Sequence, residues 1–97
     1  MNEIQLSDIE NALLDCIQDI QVMSGEKKEN ITGDTCPIKD LYGFDSLRGV
    51  ETTTYLGIKM KVVIPSDGQD VNLFVSRDGT RALTVHEVAE RIVALIS

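Results

Sequence analysis

Gly43-Phe44-Asp45-Ser46-Leu47 holds the residues of this chain best suited to chemistry. A serine hydroxyl follows directly on a helix-capping aspartate, at the predicted first turn of an amphipathic helix. Free backbone N–H groups and the positive end of a helix dipole favour an anion there, so a phosphodiester on Ser46 would be well placed. No basic residue or histidine lies directly beside Ser46 to activate it. The pattern suits a hydroxyl modified by another protein better than it suits a nucleophile. His86, the one histidine, falls in the first turn of a later predicted helix, with no acid or nucleophile at a useful spacing, and reads as solvent-facing. A serine hydrolase would need Ser46, His86 and a carboxylate to converge, and both polar residues already have helix-start explanations. The chain is therefore expected not to be an enzyme. Cys16 and Cys36 form no Cys-x-x-Cys pair and have no histidine at metal-ligand spacing, so no metal site is expected. Cys16 falls on an apolar stripe and reads as a buried thiol.

Ninety-seven residues suffice for one domain, 1–97, with a modest core. With no Trp, two Phe and two Tyr, that core must be built from Ile, Leu and Val with some Met. No apolar run approaches the length of a membrane span, and Met1-Asn2-Glu3-Ile4 is unlike a targeting peptide, so a cytoplasmic protein with no membrane insertion is expected. A disulfide is disfavoured in that compartment. The net charge of −7 lies entirely before Ser46, where ten acids face Lys27, Lys28 and Lys39. Such a field repels nucleic acid and favours a basic protein partner.

The elements that must position Ser46 follow from periodicity and caps. Ser7 to about Met23 reads as a helix, with Ser7-Asp8-Ile9-Glu10 as a capping box. Ile9, Leu13, Ile17 and Ile20 form its apolar stripe, and Asp8, Asp15 and Asp19 an acidic face. Residues 24–44 form a long connection in which Ile31, Ile38, Leu41 and Phe44 are expected anchors. A second helix is predicted from Asp45, with Leu47, Val50, Thr54 and Ile58 on its buried face. Gly49, Thr52, Thr53, Thr54, Tyr55 and Gly57 disfavour it, so it is expected to be mobile or to end early. Alternation at Met60, Val62 and Ile64, then Val71, Leu73 and Val75 before Asp78-Gly79, allows a small β-hairpin within 60–83. A short helix over about 69–75, capped by Asp67, is the competing reading. The final helix opens with the capping box Thr84-Val85-His86-Glu87, with Val85, Val88, Ile92, Leu95 and Ile96 on its apolar face.

A capped helix, a long loop, Gly-x-Asp-Ser-Leu opening a second helix, then Ile64-Pro65 and a last helix starting Thr84-Val85 together resemble an acyl carrier protein. Asp45 through Pro65 aligns with the family pattern without a gap, which places Val50-Glu51 on its Val-Glu and Met60 where Phe is common. The resemblance implies an all-α bundle of three longer helices plus a short third helix, with the long loop between the first two. It implies a monomeric, non-catalytic carrier of acyl or aminoacyl thioesters in fatty-acid, polyketide or related lipid metabolism. Its cofactor would be 4′-phosphopantetheine, attached to Ser46 from coenzyme A by a separate Mg²⁺-dependent phosphopantetheinyl transferase. Acyl-loading and acyl-processing enzymes would be the other partners. The resemblance also implies partner recognition by Asp45, Leu47, Arg48, Val50 and Glu51, and an acyl pocket or core at Val50, Thr54, Ile58, Met60 and Ile64.

The sequence departs from that pattern in four places. Arg48 takes a commonly acidic position, Tyr42 replaces the leucine before the motif's glycine, and residues 66–83 are longer than usual. Thr52, Thr53 and Thr54 stand where aliphatic residues usually line the acyl pocket, and an unpartnered buried hydroxyl is costly. These departures point to a specialised carrier. The alternative is an arm-less helical interaction module that docks a basic partner through its acidic first helix.

Overall fold

The computed structural model describes residues 5–27, 30–64, 73–76 and 78–96. They form a mostly helical fold with α1 at Leu6–Met23, α2 at Pro37–Asp40, α3 at Ser46–Met60 and α4 at Val85–Ile96. Both α3 and α4 pack on α1. The α1 and α3 axes run in opposite directions, because Asp15 meets Lys59 at 3.8 Å, Asp19 meets the Tyr55 hydroxyl at 3.4 Å and Gln21 meets Arg48 at 2.9 Å. The shared core is aliphatic, with Ile9, Leu13, Cys16 and Ile17 of α1, Leu56 of α3, and Val85, Val88, Ala89 and Ile92 of α4. Phe44 and Phe74 complete it edge to face, with ring centroids 5.2 Å apart.

The start of α1 differs from the expected Ser7 cap. Leu6 packs against the core and extends the helix by more than a residue, which leaves Ser7 exposed inside the first turn. Gln5 is the residue at the cap instead, and its N–H donates to the Asp8 carboxylate at 3.2 Å. At the other end the Gly25 N–H donates to Val22 and the Glu26 N–H to Gln21, both carbonyls of the last turn. This is a Schellman closure, and Gly25 supplies the positive φ of 90° that it needs.

Within the long connection, Leu41 and Phe44 are buried and Ile31 and Ile38 pack partly on the core, as the anchors should. A short helix sits here, at Pro37–Asp40, whereas the family pattern implies one after the second long helix. Proline at its first position needs no N–H partner, which favours a helical turn there. Most of the region expected to hold the short third helix lies outside the described residues. Its end, Leu73–Val75, is a turn running into a single bridge from Val75 to Ala82. The 60–83 hairpin is therefore reduced, among the described residues, to that bridge and the turn around Asp78-Gly79. The Asp78 carboxylate accepts from Ser76 and Thr80, and these bonds hold its pKa down at about 2. Arg91 of α4 secures the segment by donating to the Leu73 and Val75 carbonyls.

The predicted second helix, α3, neither ends early nor buries the expected face. It runs fifteen residues and closes on Lys61, which takes the left-handed conformation at φ 57° while the Val62 N–H reaches back to the Gly57 carbonyl. Its buried residues are Gly49, Thr52, Thr53 and Leu56. Leu47 and Ile58 are 67% and 70% exposed, Thr54 is exposed and Val50 only half-buried. The reason lies in hydroxyl chemistry. Thr52 donates to the Arg48 carbonyl at 2.7 Å and Thr53 to Val50 at 2.9 Å, so each polar group is satisfied by its own helix. A threonine so bonded is tolerated in the core, and small Gly49 beside it suits close packing on α1.

Candidate functional site

Ser46 is the first residue of α3 and is exposed. Asp45 precedes it in extended backbone, and its carboxylate accepts the Arg48 N–H at 3.0 Å. The N–H groups of Ser46 and Leu47 belong to a first turn and have no carbonyl of their own helix to bind. An anion on the Ser46 oxygen would meet these groups and the positive helix end. The Ser46 hydroxyl has no hydrogen-bond partner among the described residues. Tyr42, four positions before it in sequence, and Leu47, the next residue, are 80% and 67% exposed.

What holds this turn in place was not evident from the motif. Arg48, two residues beyond Ser46, turns away from solvent toward the end of α1. Its Nη1 donates to Gln21 Oε1 at 2.9 Å and to the Tyr42 carbonyl at 3.3 Å, and its Nη2 pairs with Glu26 at 3.3 Å. Gln21 is itself buried, and its Nε2 donates to the same Tyr42 carbonyl at 2.8 Å. The Schellman turn at Gly25 is what brings Glu26 into reach. Gly43 has φ 71°, and a Cβ on it would lie 2.7 Å from Arg48 Nη1, so the guanidinium lies against the glycine backbone. The sequence did carry one signal for Gln21. It stands four residues after Ile17, in line with the apolar stripe, and a buried amide there requires a partner.

The other residues named from sequence fall differently. Asp45, Leu47 and Glu51 are exposed around the start of α3, whereas the Arg48 side chain is mostly covered and paired with Glu26. Of the expected pocket or core residues, Met60 and Ile64 pack partly on the core, Val50 is half-buried, and Thr54 and Ile58 face solvent. The five therefore do not converge on one lining. A small cleft does exist, but between α1 and the loop, where Ile17, Gln21, Ile31 and Leu41 line it.

His86 is exposed as expected, yet it is not without an acid. Its Nδ1 lies 2.6 Å from Glu10 of α1, and Glu90 lies 3.8 Å from Nε2. The hydrogen bond that His86 donates to the Glu10 carboxylate raises the His86 pKa, with Glu90 and Asp34 adding to it. Ser46 is not among the groups that contact His86. Cys16 is buried, and burial pushes its thiol up to about 11. Cys36 is half-buried and also free. Among the described residues no cluster of His, Cys, Asp or Glu is suited to a metal ion, and no helix is long and apolar enough to cross a membrane.

In comparisons with known proteins, no family model, no curated protein and no solved structure matches this chain significantly. The functional reading therefore rests on the motif and on the geometry around Ser46.

Proposed function

We propose that this chain is an acyl-carrier-like protein in which Ser46 bears 4′-phosphopantetheine. The observation that supports it most is an exposed serine with no partner among the described residues, on the first turn of a helix capped by the preceding aspartate. The residues present fit the group. Ser46 would hold it covalently, and the first-turn N–H groups of Ser46 and Leu47 would face its phosphodiester. In the modification the Ser46 Oγ–P bond forms as the pyrophosphate bond of coenzyme A breaks. Adenosine 3′,5′-bisphosphate leaves, and the hydroxyl proton passes to the transferase.

When bound, the group supplies a thiol that carries an acyl or aminoacyl unit as a thioester. The chain itself performs no catalysis. It raises the effective concentration of the tethered unit at each partner. Leu47, Glu51 and Tyr42, exposed beside Ser46, are available to those partners. A specialised role is favoured by Arg48, since an arginine engaged in the fold replaces the acid that housekeeping partners would read. The threonines no longer argue for it, because their hydroxyls are satisfied.

The deciding experiment is incubation with coenzyme A, Mg²⁺ and a broad-specificity transferase, followed by intact-mass measurement. One phosphopantetheinyl group is expected on the wild type and none on Ser46→Ala. A wild type left unmodified by several transferases would sink the proposal. The arm-less module would then gain ground, with partner binding that weakens with salt and ignores Ser46→Ala. Two acids of the α1 face are less available for such docking, since Asp15 and Asp19 already meet Lys59 and Tyr55.

A further inference from the structure

Between α1 and the start of α3 lies a polar network that links four positions distant in sequence, Gln21, Glu26, Tyr42 and Arg48. We propose that Gln21 and Arg48 act as a positioning clasp that fixes the Tyr42–Gly43 turn and thereby sets how Ser46 is presented for modification. The inference rests on the carrier reading for its kinetic consequence, while the clasp itself is a statement about the turn.

Three features make the network a positioning device and not merely a surface ion pair. First, the Tyr42 carbonyl accepts from both Gln21 Nε2 and Arg48 Nη1, so the backbone just before the site is held from two sides. Second, Gln21 is almost fully buried and its amide uses both ends, donating to Tyr42 and accepting from Arg48. Losing one partner would leave the other without its match in a place water reaches poorly. Third, the fork lies against the Gly43 backbone, and any side chain there would meet it. The Arg48 N–H is held at the same time by Asp45, so the arginine ties both sides of Ser46, backbone to the cap and side chain to the turn. Phe44, between them, is anchored on Phe74. Ser46 is thus carried on a turn held at Tyr42, Phe44 and Asp45.

A group transfer to a hydroxyl depends on its orientation, and a small misplacement costs rate more than affinity. Gln21→Leu keeps the size and removes the hydrogen bonds at a buried position that adds no exposed surface. It is expected to raise hydrogen exchange about tenfold at the bonded amides around the turn, Phe44 to the Leu41 carbonyl and Arg48 and Gly49 to Asp45, with α4 amides unchanged. The transferase kcat should fall about tenfold, with KM for the carrier within about twofold. Arg48→Met should do the same, and the double variant should be no worse than either single one, because both remove one unit. Arg48→Lys keeps the charge without the fork and should resemble Arg48→Met. The clasp is overturned if the Phe44, Arg48 and Gly49 amides keep their protection in both single variants, or if Arg48→Lys behaves as wild type. It is also overturned if the loss falls wholly on KM, which would make Arg48 a recognition residue. Should the wild type accept no phosphopantetheinyl group, the carrier reading fails and the exchange measurement alone decides the clasp. If a variant does not fold, exchange in its less disruptive companion decides.

Discussion

Gly43→Ala tests the contact between the turn and the guanidinium with an internal control. Gly43 and Gly79 have nearly the same backbone angle, φ 71° and 74°, but differ in surroundings. A Cβ on Gly79 meets nothing within 4 Å, whereas on Gly43 it would lie 2.7 Å from Arg48 Nη1 and 3.1 Å from Cζ. Forcing alanine into the left-handed region costs about 1 kcal/mol, and Gly79→Ala should show only that. Gly43→Ala must also push the guanidinium away, weakening bonds to Gln21, Tyr42 and Glu26. Hydrogen bonds to a charged group contribute about 1.5–3 kcal/mol each, and a flexible side chain recovers part of the loss, so about 1–2 kcal/mol is added. The expected totals are about 1 kcal/mol for Gly79→Ala and about 2–3 kcal/mol for Gly43→Ala. In thermal midpoints that is a fall of roughly 5 °C against roughly 10–20 °C for a chain of this size. Urea denaturation followed by far-ultraviolet circular dichroism measures the difference. In an Arg48→Met background the excess should vanish and leave only the backbone cost. Equal losses for the two glycines, or an excess that survives without Arg48, would refute the reasoning.

Raised by Glu10, with desolvation opposing and Glu90 and Asp34 adding, the His86 pKa lies above its unfolded value. Its stabilisation should therefore be complete below about pH 6.5 and fade as pH rises through the folded value, which the difference between wild type and His86→Gln in urea midpoint at about pH 6 and about pH 9 will show. A difference that grows with pH would contradict the pairing. Lys61 closes α3 at φ 57°, so Lys61→Gly should stabilise by about 0.5–1 kcal/mol in urea denaturation, and a loss would mean the side chain has another role. In the native protein at pH 8 a thiol reagent should label Cys36 alone, with Cys16 reacting only after denaturation; mass spectrometry showing equal labelling would count against a thiol pushed up to about 11 by burial. A fragment ending at Met60 keeps the whole motif but lacks Val85, Val88, Ala89 and Ile92, and should lose most of its helical dichroism per residue; retention of it would show that α3 needs no α4.

The caps of the last two long helices were legible in the sequence, whereas the cap of α1 shifted from Ser7 to Gln5. Thr84 and Glu87 exchange the two bonds of a capping box, at 2.9 and 3.2 Å, and Asp45 caps α3, because three-residue spacing is all these bonds require. The apolar stripe of α1 was equally plain, since Ile9, Leu13 and Ile17 recur at helical spacing. The face of α3 was misjudged because hydropathy assigned Leu47 and Ile58 to the interior. The packing instead takes Gly49, Thr52, Thr53 and Leu56, whose polar atoms bond within the helix. The clasp and the Glu10–His86 pair could not be read from spacing at all. They join residues 27 and 76 positions apart, and only the chain's path brings them together.

The serine motif lies near the middle of the chain, while α1 reaches its full core only when α4, residues 85–96, has packed beside it. α3 has weak intrinsic helicity, so it depends on that core more than on its own sequence. During synthesis the motif is therefore complete in sequence long before it is complete in shape. Because α3 packs on α1 and α1 on α4, the turn that carries Ser46 is expected to settle only after α4 has been made and has docked, and under the proposed carrier reading modification would follow that step.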